Sequence, residues 1–325
     1  MNDTGLPAGY NLRPTTWSDL EGVTQLILAA CTADGDATMA VSAEELAQEW
    51  KIPGFNLETD CWVVTNPDGM VVGTEEFYNS SSHADLRGDG YVHPDHTGLG
   101  IGTSLLSRLD ARARLEVPLA PPDLRVSLRN GMGINEKNAV AIHEAAGFKA
   151  IRYSWRMEIN LKTETETPVW PEGVALRPFD LESQNYLVYQ AHHDAFRDHW
   201  GHVTRPYEFW QTVISGNPEF DPALWFVAWD ADQIAGYALC RTKQGMGWVG
   251  TLGVRRAWRK RGLGEALLKH SFRELKRRGH DTVGLTVDAS NPTGATRLYE
   301  RVGMQVASQF VIYEKEYRPG RVLEE

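Results

Sequence analysis

The chain has 325 residues, of which 42% are hydrophobic and 23% are charged, and its formal net charge at pH 7 is −10. This composition is that of a globular protein, which excludes a largely disordered chain, and the length suits two average domains. The acidic balance disfavours nucleic-acid binding, because the surface as a whole would repel a phosphate backbone. The N-terminus has no basic or apolar leader, and no segment approaches the roughly 20 apolar residues that span a bilayer. We therefore expect a cytoplasmic protein that does not bind membranes.

The first half opens with a predicted strand near 10–13, followed by one or two helices and a β-hairpin. The hairpin strands are predicted at 61–64 and 70–73, joined by an Asn-Pro-Asp-Gly turn at 66–69. A further strand ends near Val92 and leads through a glycine-rich turn into a helix. Another strand, a final helix and a closing strand complete this half.

The second half repeats the same order of elements. Its opening strand is predicted at 174–177 and its hairpin strands at 225–229 and 234–238. The helix after its glycine-rich turn has apolar residues at the 3.6-residue spacing of an amphipathic helix, and a strand at 282–287 follows. In that helix we expect the core to contain Leu267, Leu268, Phe272 and Leu275, and solvent to contact Glu265, Lys269, Arg273, Lys276 and Arg277.

The two halves form an internal repeat. The glycine pair Gly100 and Gly102 matches Gly262 and Gly264 at a separation of 162 residues. Repeats this long indicate duplicated domains, because solenoid repeats have periods of about 20–50 residues. We therefore predict an α/β fold with mixed sheets in two tandem domains. The domains are predicted at 1–161 and 173–325, with a polar, proline-containing linker at 162–172.

The turn that follows Val254 indicates a phosphate site. Gly262 and Gly264 allow a sharp turn that brings backbone N–H groups close to an anion, and the next helix adds the positive end of its dipole. A Walker loop would need Gly-Lys-Ser/Thr and a dinucleotide fold would need Gly-x-Gly-x-x-Gly, and neither pattern is present. Although the chain is acidic, this turn contains five basic residues: Arg255, Arg256, Arg259, Lys260 and Arg261.

The pattern Arg259-x-x-Gly262-x-Gly264 after a strand resembles the acyl-CoA signature of the GCN5-related N-acetyltransferases, the GNAT superfamily. The sequence at 291–304 is similar to the closing motif of that family and follows at the right distance. The resemblance implies tandem GNAT domains and an acetyl-CoA-dependent N-acetyltransferase. Such an enzyme transfers an acetyl group to the primary amine of a small molecule through a tetrahedral intermediate, with acetyl-CoA as co-substrate and no metal.

The resemblance also assigns the cofactor contacts. The backbone amides of Leu263, Gly264 and Glu265 would bind the pyrophosphate, with Arg259 and Arg261 nearby. The pantetheine would lie between splayed strands. The expected cofactor residues of the second half are Leu252, Gly253, Val254, Arg259, Lys260, Arg261, Gly262, Leu263, Gly264, Glu265 and Asn291. Those of the first half are Val92, Thr97, Gly98, Leu99, Gly100, Gly102 and Thr103.

Two residues are candidates for catalysis. Tyr299 matches the family tyrosine that protonates the leaving thiolate, and a phenol of pKa about 10 is a suitable donor. The alternative is a tyrosine that only packs against the sheet. Asp288 is a candidate general base, because the strand at 247–254 contains no Asp or Glu. A structural role for Asp288, a water relay, and a helix-capping role for Asn291 stay open.

The acceptor is expected to contact the helical region before the second hairpin. There Asp194, Asp198 and His199 could recognise a cationic or hydroxyl-rich amine, or they could be solvated helix residues. Zinc is disfavoured, because His193, His199 and His202 do not follow a known ligand spacing.

The first half departs from the motifs at two positions. Thr97 stands where the second half has Arg259, and His143 stands where it has Tyr299. We therefore expect the second half to be catalytic and the first to bind CoA weakly or to serve structurally. The alternative is a non-catalytic acyl-CoA-binding sensor or structural module. We expect a monomer or homodimer, with the three widely spaced cysteines reduced and mostly buried.

Overall fold

The structure is a computed structural model that describes residues 5–162, 166–197, 199, 205–215, 219–243, 245–291 and 294–322. The chain separates into two compact units. Unit 1 is Met1–Tyr153 together with Phe310–Glu324, and unit 2 contains Ser154–Gln309. Each unit is a mixed sheet packed against helices, which confirms the predicted α/β class.

Unit 1 is built on a sheet with the order β1-β2-β3-β4-β5. All neighbouring strands are antiparallel except β4 and β5, which are parallel. The strands are β1 (Asn11–Pro14), β2 (Cys61–Thr65), β3 (Val71–Ser81), β4 (Asp85–Val92) and β5 (Val126–Gly133), and β6 (Lys149–Asn160) begins in this unit. The helices are α1 (Leu20–Ala33), α2 (Ala43–Glu49), α3 (Leu57–Asp60), α4 (Ile101–Glu116) and α5 (Lys137–Ala145).

Helices cover both faces of the unit 1 sheet. Alternate residues of a strand point to opposite faces, so each strand contributes side chains to both helix layers. On β2, Trp62 and Val64 lie in the core cluster that contains Leu105 of α4. Cys61 and Val63 lie instead in the cluster that contains Leu26 of α1. The fully buried run in β2 therefore divides into two cores.

Unit 2 repeats this design with the sheet order β7-β8-β9-β10-β11. Here the parallel pair is β10 and β11. The strands are β7 (Val174–Arg177), β8 (Trp225–Asp230), β9 (Gln233–Lys243), β10 (Met246–Val254) and β11 (Thr282–Asp288), and β12 (Gln305–Arg318) begins in this unit. The helices are α6 (Leu181–Phe196), α7 (Tyr207–Ser215), α8 (Leu263–Arg277) and α9 (Ala295–Arg301).

The predicted core face of α8 is confirmed, since Leu267, Leu268, Phe272 and Leu275 are all buried. On the opposite face, Arg273 and Arg277 are exposed. The other three residues expected there are half-buried: Glu265, Lys269 and Lys276. Lys269 lies between two carboxylates, 2.6 Å from each of Glu265 and Glu166, which explains its partial burial.

The two units exchange their closing strands, and this differs from the predicted boundaries at 161 and 173. Residues 154–160 of β6 pair antiparallel with β11 and belong to unit 2. Residues 310–318 of β12 pair antiparallel with β5 and belong to unit 1. Strand partners are non-local, so the sequence order of elements did not reveal the exchange.

Local signals explain several of the helix boundaries. Ser42 and Glu45 form a capping box at the start of α2. Asp180 caps α6 by accepting from the N–H groups of Glu182 and Ser183. Over the described ranges, no helix is both long and apolar enough to cross a bilayer. Cys31, Cys61 and Cys240 are all buried, which confirms the predicted burial of the thiols.

Candidate active site

Helix α8 begins directly after the predicted phosphate turn. Gly262 precedes it with φ = +83°, a left-handed conformation that glycine adopts without steric cost. No side chain caps the helix, and Ala266 donates the first helical hydrogen bond, to the Gly262 carbonyl at 3.0 Å. The N–H groups of Leu263, Gly264 and Glu265 come before that bond and have no intrahelical acceptor. Together with the helix dipole they form a site suited to an anion.

Gly264 lies where the start of α8 packs closely against α9 and the end of β10. A Cβ atom there would lie 3.1 Å from Leu298 Cδ2 on α9 and 3.6 Å from Val254 Cγ2 on β10. The absence of a side chain therefore lets the start of α8 pack against α9 and the end of β10. This packing holds the three free N–H groups beside the strand on which the thioester was predicted to lie.

The arginines of the turn hold the backbone in place. Arg259 donates to the Val254 carbonyl at 3.1 Å and to the Ala195 carbonyl at 2.8 Å. Arg261 donates to the Glu172 carbonyl at 3.2 Å. Arg259 is therefore bound to two main-chain oxygens, whereas Arg261 is 41% exposed and also lies 3.9 Å from Asp230 Oδ2. A direct contact of either guanidinium with phosphate stays a prediction.

Lys260 is different from these arginines. It is exposed, and within the described part of the chain its ammonium group has no hydrogen bond or ion pair. Its backbone is left-handed, with φ = +62°, and Gly98 at the matching position of the other repeat has φ = +76°. A non-glycine residue rarely adopts this conformation, so the turn geometry is strongly imposed by its surroundings.

Asp194, which was expected to recognise the acceptor, forms an ion pair with the turn. Its Oδ2 atom accepts from Arg255 Nε at 2.7 Å, and Arg197 lies 3.5 Å from its Oδ1 atom. His199 packs its ring on Phe196 at 4.5 Å between centroids. Asp198 and His202 lie outside the described residues.

Tyr299 lies on α9 and its side chain is buried, with 8% of its area exposed. Burial raises the pKa of its hydroxyl to about 12. Its hydroxyl makes no hydrogen bond to another described residue. The hydroxyl is therefore protonated at neutral pH and keeps its proton free to donate, although the raised pKa makes it a weaker acid than an ordinary phenol. The ring itself packs in the core cluster of unit 2.

Asp288 and Asn291, the two other candidate residues near Tyr299 in the sequence, have structural contacts. Asp288, at the end of β11, accepts a hydrogen bond from the Ser290 N–H at 2.9 Å. This contact is of the structural kind considered above as the alternative to a role as general base. Helix α9 is capped by Gly294 with φ = +74°, so the capping role considered for Asn291 was wrong. Asn291 donates its backbone N–H to the Asp288 carbonyl at 3.0 Å.

A gap opens between the two parallel strands of each unit. In unit 2, β10 and β11 pair only at Gly247 with Val283 and at Trp248 with Gly284. Beyond this point β10 continues to Val254 along β9 alone. Alternate N–H groups of a strand point to opposite neighbours, so those that do not bond β9 face the gap.

Two polar residues beside this gap, Tyr237 and His192, were not indicated by the sequence. Tyr237 is fully buried on β9 directly opposite Gly253, and a Cβ atom on that glycine would overlap the phenol. Its hydroxyl lies 3.1 Å from Nδ1 of His192 on α6. Only the high density of histidines in 192–202 pointed to this region, and it did not distinguish His192 from its neighbours.

Unit 1 has the same turn with different surroundings. Gly100 precedes α4 with φ = +80°, and a Cβ on Gly102 would lie 3.0 Å from Ile142 Cδ1 and 3.6 Å from Val92 Cγ2. These contacts match those of Gly264, as the repeat predicts. Here, however, the Gly5 carbonyl oxygen lies 3.2 Å from the Cβ position of Gly100, so the N-terminal segment of the chain packs against the turn.

His143 takes the place of Tyr299 in unit 1. It is buried on α5 with 6% of its area exposed, and its Nδ1 atom lies 2.8 Å from the Ala139 carbonyl. Burial lowers its pKa, which favours the neutral ring. A neutral histidine bonded to its own helix is a weaker proton donor than the phenol it replaces.

No metal site accompanies these features in the described ranges, where no group of three or more His, Cys, Asp or Glu side chains could hold an ion. A cavity of about 400 Å³ in unit 2 is bordered by Asn160, Leu161, Phe272 and Gly303. It contains none of the predicted cofactor or catalytic residues. The candidate site is therefore the open turn and strand gap.

Several known proteins are similar to this chain in sequence. The acetyltransferase (GNAT) family matches residues 185–304, a range that contains the α8 turn and Tyr299. A mycothiol acetyltransferase of Thermobispora bispora is 32% identical over 70% of this chain and 75% of its own length. That of Catenulispora acidiphila is 26% identical over 96% of this chain and 99% of its own length.

Solved structures extend the comparison to the whole chain. A GCN5-related N-acetyltransferase from Sphaerobacter thermophilus has a TM-score of 0.83 and 34% identity, covering 98% of this chain and 99% of that chain. A tandem GNAT protein from the clavulanic acid biosynthesis pathway has a TM-score of 0.69 and 18% identity, covering 96% and 100%, and shares the fold. The chain therefore belongs to the GNAT family and is an N-acetyltransferase with a tandem GNAT fold.

Proposed function

We propose that this enzyme transfers the acetyl group of acetyl-CoA to the primary amine of a small molecule, and that the reaction takes place in unit 2. The observation that carries this proposal is the uncapped start of α8 beside the gap between β10 and β11, with Tyr299 adjacent on α9. This arrangement combines an anion site, a channel lined by main-chain N–H groups and a protonated phenol. Unit 1 has the first two features but has His143 instead of the phenol.

The pyrophosphate of the cofactor would bind at the start of α8. The N–H groups of Leu263, Gly264 and Glu265 donate to its oxygens, and the exposed Lys260 supplies the nearest uncommitted positive charge. Arg259 and Arg261 would act mainly by fixing the turn through their carbonyl contacts. In this assignment the backbone, rather than the arginine side chains, provides most of the recognition.

The acetyl group would lie at the end of the gap, near Leu252, Gly253 and Val254. An N–H group of β10 that faces the gap can donate to the thioester carbonyl. The same bond strengthens as negative charge develops on that oxygen in the tetrahedral intermediate. The amine attacks the carbonyl carbon, and the departing thiolate of CoA takes a proton from Tyr299.

The amine must lose a proton before or during its attack. Asp288 stays one candidate for the base, although it accepts the Ser290 N–H. The pair formed by His192 and Tyr237 is the better placed group, since the phenol lies over Gly253 and its hydroxyl lies 3.1 Å from the imidazole Nδ1 atom. An imidazole accepts protons at neutral pH, and a phenol between it and the amine would relay them.

The acceptor would enter past α6 and α7. Their rings contact one another, with Tyr186 and Tyr207 at 5.0 Å and Tyr189 and Trp210 at 6.1 Å between centroids. Asp194, Asp198 and His199 stay candidates for acceptor recognition. The resemblance to mycothiol acetyltransferases makes the cysteinyl amine of a mycothiol precursor one candidate acceptor.

Release of free thiol from acetyl-CoA, measured across a panel of primary amines, tests this proposal. We expect amine-dependent release together with binding of acetyl-CoA in a calorimetric titration. Cofactor binding without release for any amine would favour the alternative of an acyl-CoA-binding module. Absence of binding would overturn the cofactor assignment.

A further inference from the structure

Two arginines of the turn before α8 also reach α6. Arg255 donates from Nε to Asp194 Oδ2 of α6 at 2.7 Å, and from Nη1 to the Ile234 carbonyl of β9 at 3.1 Å. Arg259 donates to the Ala195 carbonyl of α6 at 2.8 Å. The C-terminal end of α6 is therefore tied to the turn by an ion pair and by a hydrogen bond to its main chain.

The contacts of Arg255 fall on the two elements that form the pair of His192 and Tyr237. His192 is two residues before Asp194 on α6, and Tyr237 is three residues after Ile234 on β9. Arg255 therefore bridges the helix and the strand whose side chains meet at 3.1 Å. A bridge of this kind fixes the helix against the strand, and with it the distance between the imidazole and the phenol.

Aromatic rings hold the imidazole of His192 in its orientation. Phe196 stacks on it at 4.7 Å between centroids, and Trp210 of α7 lies 5.1 Å away. His193 adds a further titratable ring at 5.7 Å, edge-on to the first. The imidazole itself is half-buried. Its plane is thus set by packing, and nearby charges can still act on it through a medium that screens them less than bulk water.

Asp194 and Arg255 supply opposite charges beside the pair. Burial, and after it the charge of Asp194, raise the pKa of Tyr237 well above its usual value, so this carboxylate acts on the phenol. Arg255 compensates that charge through the ion pair at 2.7 Å. Arg197 also lies 3.5 Å from Asp194, but it is 53% exposed, so solvent screens much of its effect.

Unit 1 has the turn without this bridge. His93 and Thr97 stand where unit 2 has Arg255 and Arg259, and both of their side chains bond within the turn itself. The turn keeps its left-handed glycine all the same, with φ = +80° at Gly100. The turn therefore does not need the arginine contacts for its own geometry, and they call for another role in unit 2.

We propose that Arg255 and Asp194 are positioning residues, which hold His192 against Tyr237 and cancel each other's charge beside that pair. This inference rests on the function proposed for unit 2. It does not depend on whether Asp194 also contacts the acceptor. Loss of either charge leaves the other uncompensated, and a negative charge favours the protonated imidazole whereas a positive charge favours the neutral one. The two losses should therefore act in opposite directions.

The titration of His192 in Arg255→Gln and Asp194→Asn tests the charge balance. It is followed by NMR on the full chain with isotope-labelled histidine, and the signal is identified by its loss in His192→Gln. We expect the midpoint to rise by about 0.5–1 pH unit in Arg255→Gln and to fall by a similar amount in Asp194→Asn. The two side chains are 29% and 30% exposed, so both variants should fold.

Two further variants serve as controls. Arg255→Lys keeps the positive charge, so its midpoint should stay near that of the parent protein. Arg278→Gln removes an arginine of the same unit that is paired with Asp221 and is 28% exposed, a value close to that of Arg255. Since Arg278 lies at the opposite end of α8 from the turn, its loss should leave the midpoint unchanged.

Rates of thiol release at saturating acetyl-CoA and amine supply the second measurement. The acid limb of kcat against pH should move with the NMR midpoint in each variant, because the relay must be deprotonated to accept a proton from the amine. A merely structural loss would lower kcat at every pH without moving this limb.

Equal midpoints in the parent, Arg255→Gln and Asp194→Asn, or shifts in the same direction, would overturn the proposal. A shifted midpoint with a stationary acid limb would also overturn it, because the pair would then not act on the reaction. A parent protein that releases no thiol with any amine would instead contradict the function proposed for unit 2. The NMR titration does not need turnover, so it would still decide the charge balance in that case.

Discussion

The Nδ1 atom of His192 lies 3.1 Å from the hydroxyl oxygen of Tyr237, and that phenol covers Gly253 on the strand proposed to hold the thioester. Tyr237 is fully buried, and burial together with the nearby charge of Asp194 raises its pKa well above the usual value. The phenol is therefore protonated and can pass a proton to the imidazole only by receiving another from the opposite side. An attacking amine at Gly253 would be that second partner.

Tyr237→Phe should lower kcat about tenfold or more with little change in the KM for acetyl-CoA, because it removes the proton relay and keeps the ring. Steady-state rates of thiol release would measure this. Tyr317→Phe is the matched control, since it also removes a tyrosine hydroxyl hydrogen bond, to Asp110 in unit 1. An unchanged kcat in Tyr237→Phe would assign the hydroxyl a structural role only.

Tyr299→Phe should lower kcat by about 10²–10⁴-fold, the usual contribution of a general acid, while acetyl-CoA affinity stays the same. Its stability should change little, because the hydroxyl makes no hydrogen bond to another described residue. Thiol-release kinetics and a calorimetric titration of the same variant separate the two effects. Equal turnover in variant and parent would show that the residue only packs against the sheet.

The matched glycines Gly264 and Gly102 distinguish the two units. Valine at either position meets a side chain at similar range, 3.1 Å from Leu298 or 3.0 Å from Ile142, so the steric cost is comparable. Gly264→Val should abolish turnover and weaken acetyl-CoA binding more than tenfold, whereas Gly102→Val should keep most turnover. Circular dichroism would confirm that both variants fold. The reverse pattern would place the reaction in unit 1, and equal losses would show that both units are needed.

The raised pKa of Asp89 predicts a pH dependence of stability. In the unfolded chain this carboxyl titrates near its ordinary value of 3.8, and in the folded protein near 7. Between these values the folded state binds more protons, so the free energy of unfolding should fall as pH rises from about 4 to about 7 and then level off. Urea unfolding at several pH values should show a shallower fall for Asp89→Asn. The control Glu58→Gln should keep the parent slope, and identical slopes in all three proteins would contradict the assignment.

Glu314 fastens the exchanged strand β12 to unit 1. Its carboxylate accepts from Arg125 at 2.6 Å and from Arg129 at 2.9 Å, and these arginines hold its pKa below the ordinary value despite its burial. Glu314→Gln removes the carboxylate that the two arginines share and leaves Arg125 paired only with Glu316 and Arg129 only with Asp85, so we expect a loss of about 1.5–3 kcal/mol in the free energy of unfolding. The nearby Glu316 also bonds Arg125 but is 43% exposed, and Glu316→Gln should cost less than about 1 kcal/mol. Urea unfolding of the two variants would measure the difference, and equal losses would contradict it.

Features encoded by local chemistry were predicted well from the sequence. The left-handed turns at Gly100 and Gly262, the apolar face of α8, the hairpins and the buried thiols all follow from residue types at short spacing. The matched contacts of Gly102 and Gly264 also confirm the repeat that their spacing indicated. These features depend on steric freedom and periodic burial within one segment, which a sequence displays directly.

Features that depend on distant partners were decided only by the tertiary structure. The carbonyl of Ala195, 64 residues away in sequence, accepts from Arg259, and Asp194 pairs with Arg255, 61 residues away. The exchange of β6 and β12 is of the same kind, because an alternating strand does not specify which edge it will join. A charged side chain takes whichever partner the fold brings near it, so residue type alone indicates a site but not its contacts.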